Sequence, residues 1–203
     1  MTRTMHGGRP KGRLRAPFRQ GDLDGLCGIY SAVNAVRALC PEMNGDDAGW
    51  LFDHLVQHLP KVTANASVVI ANGIGCGDEA RLLLKAMRYV ADEHDIDLAV
   101  RRLPKAARRS AGINRLWQAI TKALSPACVA VLGLAGRHSH WTVAVAASAQ
   151  QLRLYDSGDM SVLRRNHCTV RTTATRTSLS PAQVFLITRR DAMLVRHDNA
   201  NDA

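Results

Sequence analysis

This 203-residue chain has no long apolar stretch. None of its hydrophobic runs reaches the roughly 18 residues that a membrane-spanning helix needs. The basic N-terminal segment is not followed by an apolar run of signal-peptide length. We therefore expect a cytoplasmic protein without a membrane span.

Aromatic residues are scarce, with three each of Tyr, Phe and Trp. Single-stranded nucleic acids bind to platforms on which aromatic rings are interleaved with basic side chains, and the sequence contains no such pattern. Nucleic-acid binding is therefore disfavoured as the main function.

Cysteines are few and unpaired in their spacing. There are five, an odd number, and none forms a CxxC pair. Such a pattern does not predict a disulfide framework and favours a reducing compartment. His54 and His58 stand four residues apart, but the Glu of the zinc-protease motif and a third ligand are missing. We expect neither a metal nor a cofactor.

Acidic residues are absent before Gln20, whereas the whole chain has a formal net charge of +10. Such a segment predicts a disordered basic arm over residues 1–19, which could bind an acidic partner, nucleic acid or an anionic membrane surface. The alternative explanation for the excess of basic residues is the coding bias of a GC-rich genome. The basic residues of the arm are Arg3, Arg9, Lys11, Arg13, Arg15 and Arg19.

The remaining length and the 46% hydrophobic content predict one domain over 20–190, followed by a loose polar tail over 191–203.

Cys27 follows a polar loop that begins at Gln20 and is punctuated by glycine. From Gly28 onward, apolar residues recur at helical spacing, and Pro41 predicts that the helix ends near Cys40. Cys27 is therefore placed at the first turn of a helix. The free N–H groups and the dipole of a helix N-terminus favour a thiolate there, and a thiolate is the nucleophile of cysteine chemistry.

His140 and Asp156 are predicted to be neighbours. His140 begins a strand of small and β-branched residues, and a second strand over 151–155 ends just before Asp156. Two consecutive strands joined by a tight turn pair antiparallel, so the start of the first lies beside the end of the second. A carboxylate in this position orients an imidazole and stabilises its protonated form.

A cysteine at a helix N-terminus, a histidine at the head of a later strand and an acidic residue on the next strand resemble the papain-like cysteine peptidases. The chain is most similar to their compact bacterial branches, such as the bacteriocin-processing peptidases, in which glycine follows the nucleophile. The resemblance implies that Cys27 is the nucleophile, His140 the general base and acid, and Asp156 the orienting residue. It also implies that Gln20 donates to the oxyanion, although Gln20 lies seven positions before Cys27, one more than usual, and the papain-type run Cys-Gly-Ser-Cys-Trp is absent.

The implied function is that of a cysteine hydrolase that cleaves a peptide or isopeptide bond in a protein or peptide substrate through a thioester. Acyl transfer or glutamine deamidation at the same site is an alternative, and so is an inert papain-like binding module.

Two residues compete for these roles. Cys76 lies in a glycine-rich loop before another predicted helix and is the rival nucleophile, although no Gln precedes it at a comparable distance. His138 competes with His140 as the base. We favour His140 because it directly adjoins the strand and is followed by Trp141, whose ring can shield the pair from water.

The other elements predict an α+β fold in which helices come first and an antiparallel sheet follows, with a cleft between the two halves. A nearly continuous apolar run over 128–134 predicts a central strand covered on both faces. Asp78 is the expected N-cap of the third helix, and Pro60 the end of the second. Helices are predicted over 47–59, 79–92 and 114–124, strands over 97–103, 160–164, 169–173 and 184–188, and either a strand or a helix lead over 67–71.

Overall fold

The computed structural model describes residues 15–20, 25–62, 69, 73–104 and 112–190. These residues form four helices and a seven-stranded sheet. The helices are α1 (Cys27–Leu39), α2 (Gly45–Val62), α3 (Cys76–His94) and α4 (Ile113–Ala123). The strands are β1 (Leu98–Arg102), β2 (Cys128–Gly136), β3 (His140–Ala147), β4 (Gln151–Tyr155), β5 (Val162–Arg164), β6 (Cys168–Thr169) and β7 (Thr177–Arg189).

The sheet has the order β1-β7-β2-β3-β4-β5, and its neighbours in this order are antiparallel. The two-residue strand β6 adds a short parallel pairing to β7. β2 lies between β7 and β3, as its continuous apolar sequence predicts.

The core lies on both faces of this sheet. Along β2, Val129 and Val131 pack with the helices α1, α2 and α3, whereas Ala130 and Leu132 face the core that contains α4. The alternation follows from the two-residue period of a strand. The fold is thus mixed α+β, and α4 covers the face opposite the other three helices.

Each helix is held by an apolar stripe rather than by its intrinsic propensity. In α2, Leu51, Leu55 and Leu59 recur every fourth residue and are at most 1% exposed. Burying each of these side chains stabilises the fold by roughly 1.5–3 kcal/mol. In α4, Trp117 is buried, and its indole N–H donates to the carbonyl of Ser148.

Several expected boundaries are wrong. Pro60 does not end α2, which continues to Val62. α3 begins at Cys76 with Gly75 as its N-cap, because Gly75 is the last extended residue of the loop, so Asp78 lies within the first turn instead. Of the run 67–71, only Val69 is among the described residues.

The end of the sheet also differs from expectation. β7 begins at Thr177, well before 184, since its first residues pair with Leu134 to Gly136 after a shift in register beyond Leu132. The stretch 169–173 leaves the sheet after Thr169. β1 precedes α4, so the helices and strands are partly interleaved along the chain.

Residues 15–20, which we call the N-terminal strap, bind to the domain, although most of them were assigned to the basic arm. Asn34 of α1 donates to the carbonyl of Phe18 and accepts from its N–H, at 3.1 and 2.9 Å. The Tyr155 hydroxyl donates to the carbonyl of Ala16. The first 14 residues of the expected arm and the tail 191–203 lie outside the described residues. Within the described chain, no helix has the length and apolar character to cross a membrane.

Candidate active site

The antiparallel pairing of β3 and β4 places His140 beside Asp156. Val143 pairs with Tyr155, so the start of β3 lies next to the residue that follows β4. His140 Nε2 and Asp156 Oδ1 are 2.8 Å apart. The neighbourhood predicted from the two consecutive strands is therefore confirmed.

Asp156 is held in one orientation. It is 3% exposed, and its second oxygen, Oδ2, accepts hydrogen bonds from the backbone N–H groups of Gly158 and Met160 at 2.9 and 3.3 Å. Burial raises the pKa of Asp156, but the hydrogen bond from His140, the side chain of Thr142, the charge of His140 and the backbone N–H of Gly158 together outweigh it, and the pKa is lowered overall. Asp156 is therefore a carboxylate at neutral pH and fixes the imidazole ring.

Cys27 is the other partner of His140. It is the first residue of α1, it is 7% exposed, it lines the same groove as His140, and its side chain lies close enough to raise the pKa of His140. Because Nε2 is directed at Asp156, the other ring nitrogen, Nδ1, is the one available to Cys27. The fold thus brings Cys27, His140 and Asp156 into one continuous contact.

The electrostatics of this contact favour an imidazolium. Burial lowers the pKa of His140, but its hydrogen bonds with Asp156 and Cys27, together with the charges of both, outweigh this effect and raise the pKa to about 9. The N-terminus of α1 supports negative charge on Cys27, since the preceding residue, Leu26, has no side chain that could cap the first-turn N–H groups.

Cys27 and His140 open onto a groove with a volume of about 140 Å³. Its walls come from the loop before α3, the end of β2 and the bulged part of β7. Trp141 closes one side, where its indole N–H donates to the carbonyl of Ile74 at 2.9 Å. The other lining residues are Gly73, Gly133, Leu134, Ala135, Ser139 and Gln183.

Gln20 lies at the end of the N-terminal strap, close to this contact. Its backbone N–H donates to the carbonyl of Ser157 at 2.8 Å, so its backbone is held next to the residue that follows Asp156. Gln20 does not line the groove. The role of its side chain as an oxyanion donor stays a prediction.

The two competing residues do not join this contact in the described structure. His138 lies in the loop between β2 and β3, and His140 is the histidine that pairs with Asp156. The Cys76 thiol donates to the carbonyl of Ala182 at 3.2 Å and is not part of the contact with His140.

The His54 and His58 rings pack against each other at a tilt of 31°, with centroids 4.2 Å apart. Among the described residues there is no cluster of three or more side chains that could hold a metal ion.

Sequence reasoning missed one residue near Cys27. Glu79, on the first turn of α3, is completely buried and lies close to both Gly28 and Ser31. The sequence does contain a signal for this burial, because Glu79 stands at helical spacing from Leu82, Leu83 and Ala86, all of which are buried.

Comparison with family models, with curated proteins and with solved structures finds no match to this chain.

Proposed function

We propose that this protein is a papain-like cysteine hydrolase that cleaves a peptide or isopeptide bond. The observation that carries the proposal is the position of His140, which pairs through Nε2 with Asp156 and lies beside Cys27 at the edge of a groove that both residues line. A nucleophile, a base and a group that orients the base are the three parts that covalent acyl transfer requires.

The first half of the reaction forms a thioester. The Cys27 thiolate attacks the substrate carbonyl carbon, and the backbone N–H of Cys27 and the side chain of Gln20 receive the developing oxyanion. One such donor lowers the barrier by about 3–4 kcal/mol. The imidazolium of His140 then gives its proton to the leaving amine as the carbon–nitrogen bond breaks.

The second half releases the product. His140, now neutral, takes a proton from a water molecule that attacks the thioester carbonyl. The carbon–sulfur bond breaks, the acid product leaves and the Cys27 thiolate is restored with the imidazolium beside it. Asp156 remains ionised throughout, because its lowered pKa keeps it a carboxylate beside the charged ring.

A peptide library with mass-spectrometric detection of products tests this proposal. We expect new chain termini with the wild-type protein and a loss of turnover of about three orders of magnitude or more in Cys27→Ala. Cys76→Ala is the matched control, since Cys76 also begins a helix but does not contact His140. Unchanged turnover in Cys27→Ala, or its loss in Cys76→Ala, would contradict the assignment. Amine adducts or glutamates in place of glutamines would instead identify acyl transfer or deamidation.

A further inference from the structure

A buried carboxyl group, that of Glu79, lies behind Cys27 and has no part in the contact of Cys27, His140 and Asp156. Glu79 is 0% exposed, yet the described residues place no basic side chain within hydrogen-bonding distance of it. Its oxygen Oε1 lies 3.0 Å from the hydroxyl of Ser31, and Oε2 has no hydrogen-bond partner among the described residues. Burying an ionised carboxylate without a compensating partner is very unfavourable, so the charge state of Glu79 has to be explained.

The position of Glu79 explains why glycine follows Cys27. A Cβ atom at Gly28 would lie 2.4 Å from Oε2 of Glu79 and 2.3 Å from Cγ2 of Ile74. The carboxyl group therefore occupies the space beside the backbone of the first turn of α1. Any movement of Glu79 acts directly on the turn that carries Cys27.

A count of protons indicates which form Glu79 takes. Ser31 has one hydroxyl proton, and its Oγ lies 2.8 Å from the carbonyl oxygen of Gly28 as well as 3.0 Å from Glu79. A carbonyl oxygen can only accept, so an ionised Glu79 would compete with it for the same proton. If Glu79 carries a proton, it donates to Ser31 while Ser31 donates to Gly28, and both contacts are satisfied.

The charge on Cys27 acts in the same direction. Burial raises the pKa of Glu79 well above its usual range, the hydrogen bond with Ser31 partly opposes this, and the negative charge of Cys27 raises it further. Two other acidic groups lie near Glu79. Cys27 faces it from α1 and has His140 as its partner. Asp78, its neighbour on α3, pairs with Arg81 at 2.7 Å. An ionised Glu79 would conversely disfavour the Cys27 thiolate, because coupling between two charges is reciprocal.

We propose that Glu79 is a positioning residue that acts as a neutral carboxylic acid and, through Ser31 and the carbonyl of Gly28, fixes the turn that presents Cys27. This inference rests on the proposed function of Cys27 and adds to it a group that does not touch the substrate. The neutral form holds the turn without placing a second negative charge beside the thiolate.

Infrared difference spectroscopy of the wild type against Glu79→Gln tests the protonation directly. We expect the carbonyl stretch of a protonated carboxylic acid near neutral pH, and its loss in the variant. Carboxylate bands in its place would overturn the proposal. This measurement does not depend on whether Cys27 is catalytic, so it separates the failure of this inference from the failure of the proposed function.

The pH dependence of iodoacetamide labelling at Cys27 tests the charge. Glu79→Gln keeps a neutral donor to Ser31, so the midpoint of labelling should move by less than about 0.3 pH units. If Glu79 were an anion in the wild type, its removal would shift the midpoint down by about one unit or more, which would contradict the proposal. Asp78→Asn is the matched control, since it removes an acid from the adjacent, outward position and should leave the midpoint unchanged.

Glu79→Leu tests positioning, because leucine has a similar size but cannot donate to Ser31. We expect a folded protein in which labelling of Cys27 at low pH is slower by about tenfold or more, whereas Glu79→Gln retains the wild-type rate. Equal rates in Glu79→Leu and the wild type would overturn the positioning role. If Glu79→Leu does not fold, Ser31→Ala breaks the same link and the same comparison applies.

Discussion

At the scale of single residues, the described site depends on how its groups share protons. His140 is charged because two partners outweigh its burial, and Asp156 is charged because its partners outweigh its burial. Glu79 is neutral because the hydrogen bond with Ser31 does not outweigh its burial. Three titratable groups within one site thus differ in form because their hydrogen-bond partners differ.

The raised pKa of His140 predicts a loss of stability at alkaline pH. The folded-state pKa of about 9 lies above the ordinary value of 6.5, so the stabilisation is complete below pH 6.5 and is lost as the pH rises through 9. We expect this loss to be about 3 kcal/mol in the free energy of unfolding, measured by urea denaturation across this range.

Asp156→Asn is the comparison for this measurement. The variant removes the carboxylate that stabilises the imidazolium, so its alkaline loss should be smaller than that of the wild type. At acid pH the sign is opposite, because the lowered pKa of Asp156 stabilises the wild type above about pH 4 and this stabilisation is lost as the pH falls further. Identical pH dependence in the two proteins would show that His140 and Asp156 are not coupled.

At the scale of elements, the N-terminus of α1 is placed by close contact with α3. Gly28 has no room for a side chain against Ile74 and Glu79, whereas no atom of the described residues lies within 4 Å of a Cβ added at Gly49, within α2. The two glycines are both helical and differ only in their surroundings. They therefore form a matched pair.

Gly28→Ala should destabilise the protein by about 1–3 kcal/mol because of overpacking. Gly49→Ala should instead stabilise it by about 0.5–1 kcal/mol, since alanine is the better helix former. The free energies of unfolding of both variants, obtained from urea titrations, check this contrast. If the two substitutions had the same effect, the contact between α1 and α3 would not be as close as described.

The elements also show what sequence patterns can predict and what they cannot. α1 and β2 carry strong apolar patterns and lie within two residues of the predicted bounds. The first half of β7 escaped prediction, because Pro181 and polar residues interrupt its apolar pattern and its partners are distant in sequence. The start of α3 was misplaced because an extended glycine, rather than an aspartate, precedes its first turn.

At the scale of the whole molecule, the site lies where the helical face meets the sheet. α1 supplies Cys27, β3 supplies His140, and Asp156 follows β4, so the contact forms only once helix and sheet have packed. The adjacency of His140 and Asp156 was predictable from one hairpin. The adjacency of Cys27 to His140 could not be predicted from local patterns. It was expected only because the sequence resembles the papain-like peptidases.

The burial of Glu79 shows the same limit of prediction from local sequence patterns. Its helical spacing with apolar residues indicates an inward position, but only the packing of α3 on α1 determines that it faces Gly28 and Ser31. Long-range contacts of this kind are determined by tertiary packing, which a single sequence does not display. They are also the contacts on which the proposed mechanism depends.

The most direct test of a reactive Cys27–His140 pair is the rate of iodoacetamide labelling as a function of pH, with the modified cysteine located by peptide mass mapping. We predict rapid labelling of Cys27 that persists well below pH 7 and that becomes slow in His140→Ala, because the imidazolium stabilises the thiolate. Labelling that follows an ordinary thiol profile near pH 8.5, or that concentrates at Cys76, would contradict the account.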